Sequence, residues 1–522
     1  MTRLTEYLTY ADAQRHCSPE KLWELFDGNG EHMNIAHECI DRHAGDARQA
    51  VILVKATGED EVLGFDELSR ESSRFAHALV ARGIRPGDRV AVMLEPSREF
   101  YVSLFGTIKM GAIAVPLFTL FGPDGIRLRI ADCRPRLLIT NAEKAPQVPS
   151  LPDLGIIVAD EHFLPSIENY PDQFQSHSRA DDLAIFQYTS GTTRELPDAV
   201  KHTHRAIVTL MLAALYGSGI RPGDRFMCPS SAAWGHGLWH GTLAPLALGV
   251  TIGAYSGKYH AERLLKALHD HRFNNLSAAA THYRMMRNCG AANQYQYYLD
   301  KLSFTGEPID SETAEFIINT FGHPAGSMYG TTEIGVCLVN YPGAPDFQIK
   351  PGSLGKPVPG LRVEVQDANG KPCPAGITGE LKLWRRGSWV ATKDLGRVDE
   401  DGYFWHGGRA DDVIISAAWT MSAVEIEDAI LKHPDVTEAA AIGVPDALRG
   451  QVVKAFVVAQ RTGDDAFVQE IQDTVRTQLS QHEYPRQVAF VSELPKTPAG
   501  KIHRKKLREQ EAANLVAAAA TH

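Results

Sequence analysis

Between Tyr188 and Ala206 the chain reads YTSGTTRELPDAVKHTHRA, hydroxyl side chains and a glycine directly behind the apolar stretch LAIF. Backbone N–H groups in such a turn wrap phosphate oxygens, and Ser190, Thr192 and Thr193 add hydroxyl donors. Ser, Thr and Gly also build ordinary surface turns, so the segment gains chemical meaning only with company. That company follows in order along the chain: MYGTTE from Met328 to Glu333, then Asp394, Arg409, and Lys501 within LPKTPAGKIHRKKL. No HExxH, GxSxG or EF-hand loop occurs, and GHGLWHG has the wrong spacing for GxGxxG. Metalloprotease, α/β-hydrolase, calcium-sensor and Rossmann dehydrogenase readings therefore find no support.

Elements able to hold such loops are legible around them. GFDELSRESSRFAHALVARGI has helical periodicity and RVAVML reads as a buried strand, followed by EFYVSLFGTIKMGAIAVPL as helix then strand. The rhythm returns at RFMCPS, LALGVTIGAY and RLLKALHDHRFNNLSAAA, which predicts α/β layers with mostly parallel sheets. From Gly352 to Leu383 short strands alternate with Gly, Pro and Asn turns, a β-rich subdomain. Beyond a hinge near Arg409 to Asp412, helices are expected at AVEIEDAILKHP and FVQEIQDTVRTQLSQ and strands at VTEAAAIGV and KAFVVAQ. The Ala-rich end, AANLVAAAATH, is expected to fray.

A chain of 522 residues exceeds what one hydrophobic core supports, so at least two domains are expected. The formal net charge of -10 speaks against nucleic acid as a partner, since phosphate contacts demand a basic face. Seven scattered cysteines, never as CxxC, suggest neither a disulfide framework nor a zinc site. With no signal-like amino terminus and no apolar run of membrane-spanning length, a cytoplasmic location is expected.

Taken together and in order, these segments resemble the motif set of the adenylate-forming (AMP-binding) superfamily, acyl-CoA and aryl-CoA synthetase branch, over about Leu22 to Leu507. The resemblance implies a large amino-terminal domain of layered α/β subdomains plus a β-rich subdomain (1–409, the β-rich part about 340–409). A small mobile α+β carboxyl-terminal lid (410–522) would follow. It implies a carboxylic acid:CoA ligase that uses ATP and Mg²⁺, makes an acyl-adenylate and passes the acyl group to coenzyme A. Partners would be small molecules, a carboxylic acid, ATP and CoA, with a homodimer as the one protein assembly considered.

Position by position, the resemblance makes Thr189, Ser190, Gly191, Thr192 and Thr193 the holder of the ATP pyrophosphate and sets Gly306, Glu307 and Pro308 against adenine. Tyr329, in Tyr329-Gly330-Thr331, would stack on the base, Thr332 would meet the α-phosphate and Glu333 would hold Mg²⁺, a hard cation suited to carboxylate oxygen. Asp394 would accept the ribose hydroxyls with Arg409 nearby, and Lys501 would stabilise charge on the phosphoryl group. Trp234, Gly235, His236 and Gly237, with Thr281, His282 and Tyr283, fall at the acyl pocket, where His236 could meet a polar substituent or the carboxylate. Asp411 matches the hinge, and Ser416, Ala417, Ala418, Trp419 and Arg449 the CoA tunnel. An aromatic, alicyclic or medium-chain acid would suit this pocket.

Two departures stand out. Asp198 replaces the loop lysine, leaving Arg194 or Lys201 to supply charge beside the phosphates, and Ala417 with Ala418 replaces a glycine pair, which would tighten the tunnel. They keep two competing readings open: a stand-alone adenylation enzyme loading a carrier protein, and a degenerate nucleotide-binding protein without turnover.

Overall fold

The computed structural model describes residues 2–188, 199–306, 309–331, 334–409, 413–416, 419–446, 450–479, 484–496 and 502–519. The chain divides into two compact units, Met1–Arg362 and Val363–His522. The sequence-derived boundary at 409/410 falls inside the second unit, behind its four-stranded sheet.

The first unit holds two large sheets. In the six-stranded one, Gly155–Val158, Leu137–Thr140, Arg89–Met93, Ile113–Pro116 and Leu183–Gln187 run parallel in that order, and Val200–Thr203 returns antiparallel at the edge. Central strands such as Ile113–Pro116 and Leu137–Thr140 are buried throughout, which explains why their sequences show continuous apolar runs rather than alternation. The nine-stranded sheet has six neighbouring parallel strands: Ala325–Thr331, Lys301–Thr305, Asn275–Ala279, Arg225–Cys228, Thr251–Ser256 and Gln49–Lys55. Antiparallel strands close both of its edges.

The helices form where the periodicity predicts. Phe65–Ala81 buries Leu68, Phe75, Ala76 and Leu79 on one stripe. Ser97 accepts from Phe100 N at the start of Arg98–Lys109, and Asp310 accepts from Thr313 N before Ser311–Phe321. Lys109 is wholly buried, its ammonium 2.6 Å from Asp41 and hydrogen-bonded to Ser73.

The second unit carries an antiparallel four-stranded sheet (Val363–Gln366, Gly379–Arg385, Ser388–Val398, Phe404–Arg409), then a hairpin of Val413–Ser416 with Trp419–Ser422. A three-stranded sheet follows (Val436–Asp446, Gly450–Ala459, Gln487–Phe490), with helices Ala423–Ile430, Asp465–Gln478 and Arg504–Ala519. The last helix corrects the expected frayed tail: it runs through most of the Ala-rich stretch, alanine being the best helix former. Among the described residues no helix is long and apolar enough to cross a membrane.

Candidate functional site

The hydroxyl-rich segment joins Leu183–Gln187 to its antiparallel partner Val200–Thr203. Its residues Thr189, Ser190, Gly191, Thr192, Thr193, Arg194 and Asp198 lie outside the described residues. Both flanking residues are described, and one carboxylate engages both. The Tyr188 hydroxyl donates to Asp132 Oδ2 at 2.6 Å, and Ala199 N reaches the same oxygen at 3.4 Å. Burial pushes the Tyr188 phenol far above its ordinary range, so it is a permanent donor. The guanidinium of Arg129 lies over the Phe121 and Tyr188 rings at 3.6 and 5.6 Å. Lys201 is exposed, its ammonium 5.4 Å over Phe186.

Two other segments meet on adjacent parallel strands. Gly306 directly follows Lys301–Thr305 with φ +99°, a backbone state that glycine alone enters freely, and Tyr329 to Thr331 finish the neighbouring strand Ala325–Thr331. Thr305 Oγ1 donates to the Met328 carbonyl at 3.3 Å, tying the two strand ends together. Gly330 sits at a register shift where any Cβ would lie 2.1 Å from the Gly335 carbonyl oxygen. Tyr329 is half-buried; Glu307, Pro308, Thr332 and Glu333 and the Thr331 side chain lie outside the described residues. A cavity of about 210 Å³, lined by Phe304, Ile309, Ala314, Ile317, Pro324 and Ala325, flanks the Gly306 turn.

Trp234 touches this corner, its ring 3.7 Å from where a Cβ on Gly306 would stand. Beyond Gly235 the chain enters a π-helical stretch, His236–Leu243, a form common at functional sites. His236 is buried, with Nδ1 2.9 Å from Ser230 Oγ and Nε2 2.9 Å from Ser277 Oγ. Both ring nitrogens are thus occupied within the protein, and burial first, then the neighbouring His240 and His282, lowers its pKa to about 3. The expected contact of His236 with a substrate carboxylate or substituent would have to displace one of these two hydrogen bonds. Tyr283 is also expected at the acyl pocket. It is fully buried in the core, its hydroxyl donating to the Ser303 carbonyl at 3.0 Å. Thr281 is exposed, Gly235 is half-buried and Gly237 is buried. His282 accepts from Ala279 N at 3.2 Å through Nδ1 and packs against Tyr259 with ring centroids 4.6 Å apart.

The sequence reading missed His240, four residues after His236 and 6.3 Å from it between ring centroids. The spacing HGLWH, which puts both imidazoles on one helical face, was the signal. It also missed Gln187, which accepts from Trp239 Nε1 at 2.8 Å, and His202, whose ring packs on Trp239. Burial lowers His202, His240 and His282 to about 4.

In the second unit, Asp394 and Arg409 stand directly opposite each other on paired strands. Asp394 is buried and its backbone N–H donates to Thr392 Oγ1 at 3.1 Å; the Arg409 side chain is outside the described set. Ser416 pairs with Trp419 at the end of the strand pair Val413–Ser416 and Trp419–Ser422. Ala417 and Ala418, the side chains of Ser416 and Trp419, and Asp411, Arg449 and Lys501 lie outside the described residues. The approaches to Lys501 are described. Lys496 and Ile502 form an antiparallel bridge, His503 N donates to the Pro495 carbonyl at 2.8 Å, and Arg504 forms an ion pair with buried Glu427. Glu427 also accepts from Ala441 N at 2.7 Å; burial raises its pKa, with Arg504 opposing. Lys505 and Lys506 are exposed, as expected of surface charges.

Residues 40–393 match the family model described as AMP-binding enzyme, and 425–501 match the AMP-binding enzyme C-terminal domain. The chain is similar to an uncharacterized acyl–CoA ligase of Bacillus subtilis, YtcI, at 31% identity over 92% of this chain and 96% of that protein. Among solved structures it resembles the Brucella canis acyl-CoA synthetase, 31% identical over 97% of this chain and 99% of that one, with a TM-score of 0.75. It also resembles the anthranilate CoA ligase AuaEII in complex with anthranoyl-AMP, 28% identical over 94% and 99%, with a TM-score of 0.78.

Proposed function

We propose how a chain that belongs to the AMP-binding enzyme family, and is an ATP-dependent, AMP-forming acid–CoA ligase, divides its reaction among named residues. One observation carries the assignment. Gly306 and Tyr329 sit at the carboxyl ends of adjacent parallel strands, with Trp234 packed against the first. Ligands of α/β sheets collect at such carboxyl edges.

Adenine lies against Gly306, Glu307 and Pro308 and stacks on Tyr329, while Asp394 and Arg409 serve the ribose. Thr189 to Thr193 cradle the pyrophosphate with backbone and hydroxyl donors, and Thr332 meets the α-phosphate. Glu333 would hold Mg²⁺, which would neutralise charge on the phosphates. This fits its habit of binding through one or two carboxylates plus substrate, and no group of three or more His, Cys, Asp or Glu gathers as a cage among the described residues.

A carboxylate oxygen of the acid attacks the α-phosphorus, and the bond to the bridging oxygen breaks as pyrophosphate leaves. Lys501 neutralises the charge that builds on the phosphoryl oxygens. Residues 410–522 then turn about Asp411, and the CoA thiol, having lost its proton, attacks the acyl carbonyl and expels AMP. Ser416 to Trp419 and Arg449 flank its path. The acid is aromatic, alicyclic or medium-chain, a reading supported by the Trp234 wall and the likeness to an anthranilate ligase. The protein works in the cytoplasm, in keeping with seven free cysteines.

The test supplies ATP, Mg²⁺, CoA and a panel of aromatic, alicyclic and C4 to C10 acids, and follows AMP and acyl-CoA. Lys501→Ala is expected to lose adenylation by a factor on the order of 10²–10³ and to keep thioester formation from supplied adenylate. Adenylate without thioester would move the acceptor to a carrier protein. ATP binding without adenylate from any acid would overturn the catalytic assignment.

A further inference from the structure

We propose that His240 is a specificity-determining residue, selecting acids that carry an uncharged hydrogen-bonding substituent, a hydroxyl or an amino group, over hydrocarbon acids and dicarboxylates. The inference rests on the reading of Trp234 as a wall of the acyl pocket and deepens it.

Four observations converge. His240 lies deep in the first unit, and its Nδ1 is buried with no hydrogen-bond partner among the described residues, unlike the doubly engaged His236 one turn before it. A buried polar atom left unpaired in a folded protein costs free energy, and a ligand group that pairs with it recovers that cost. Second, His240 keeps part of its surface accessible although it is deeply enclosed, as do His282, Tyr259 and Trp234, so these side chains border open space rather than closed core. Third, the group is continuous: Trp234 and His236 lie 6.2 Å apart, His236 and His240 6.3 Å, and His236 feels the charge of His282. Trp234 reaches the Gly306 turn, so the group adjoins the corner assigned to the nucleotide.

The fourth is electrostatic. Burial holds His236 at about 3 and His240 and His282 at about 4, so near neutral pH all three imidazoles are uncharged. An uncharged imidazole offers a lone pair or an N–H, and a hydroxyl matches either tautomer. It does not offset the desolvation of a second carboxylate, so dicarboxylates are excluded. A purely apolar acid leaves Nδ1 unpaired.

The experiment compares size-matched acids with the whole enzyme, ATP and Mg²⁺: each ring isomer of hydroxybenzoate against the matching methylbenzoate and phthalate isomer, and omega-hydroxyhexanoate against heptanoate and adipate. At least one hydroxyl acid is expected to exceed its methyl partner in kcat/KM by about tenfold, the worth of one buried hydrogen bond. His240→Phe should abolish that ratio by lowering only the hydroxyl member, and His240→Gln, which keeps a polar side chain, should restore part of it. Equal or better use of methyl partners by the unaltered enzyme overturns the role of His240 and leaves the ligase reading intact. So does an equal loss on both members in His240→Phe. Failure to adenylate any acid overturns both. The wild-type comparison decides the matter even where the variants do not fold.

Discussion

Neighbours in sequence at the pocket have opposite duties, and Tyr283 beside His282 is the clearest case. Its hydroxyl donates to the Ser303 carbonyl inside an apolar cluster that includes Leu276, Leu302 and Phe304. Tyr283→Phe is therefore expected to cost about 1 kcal/mol of stability, the net value of a buried hydrogen bond. Thermal unfolding should register that loss while kcat/KM for the best acid stays unchanged; a large fall in kcat/KM would return Tyr283 to the pocket. At this scale the sequence discloses residue types and spacing but not burial. Gly306, Gly330 and Asp394 were legible because backbone geometry or position in a motif demands their type. The partners of His236, Ser230 and Ser277, become visible only when the loop after one strand, a second strand and a π-helical turn come together.

At the scale of elements, the helix Pro123–Cys133 holds both flanks of the hydroxyl-rich segment through Asp132, whose Oδ2 receives both Tyr188 and Ala199. Asp132→Ala should loosen both flanks at once and raise KM for ATP about tenfold with a smaller change in kcat, because misplaced donors weaken phosphate binding before they alter chemistry. Asp132→Asn retains an acceptor for Tyr188 and should recover most of the loss. Pyrophosphate exchange at varied ATP reads this directly, and an unchanged KM in Asp132→Ala would refute the clasp. Glu427 holds the segment after Lys501 through Arg504. Glu427→Gln weakens that grip and should slow adenylation about tenfold while sparing thioester formation from supplied acyl-adenylate, since the proposed assignment gives Lys501 to the first step alone. Equal slowing of both steps would make Glu427 a general stability residue. Amphipathic helices were readable from their period and buried strands from their continuous apolar runs. These two clasps were not, because Asp132 and Tyr188 are 56 residues apart and Glu427 and Arg504 77 apart.

Over the whole molecule, acid sensitivity is unevenly distributed. Six histidines, His43, His202, His204, His236, His240 and His282, have pKa values lowered by burial from 6.5 to about 4 or about 3, and all six belong to the first compact unit. Above pH 6.5 neither the folded nor the unfolded chain protonates them, and their neutral packing costs nothing. As pH falls below 6.5 the unfolded chain gains protons that the folded chain refuses until about pH 4. Each group then subtracts up to about 1.4 kcal/mol per pH unit from stability across that window. Several acting together compete with a total folding free energy on the order of 5–15 kcal/mol. Calorimetry between about pH 7.5 and pH 5 should therefore show a falling unfolding temperature, with the transition that reports the first unit moving most. Replacing His204 by Gln, which leaves no ionisable group at a buried site whose Nδ1 accepts from Ile35 N, should flatten part of the slope even where it lowers the plateau at neutral pH. A transition that stays level from pH 7.5 to pH 5 would mean that these imidazoles are as accessible to protons in the folded chain as in the unfolded one. That outcome would also remove the uncharged wall on which the selection of neutral polar acids depends.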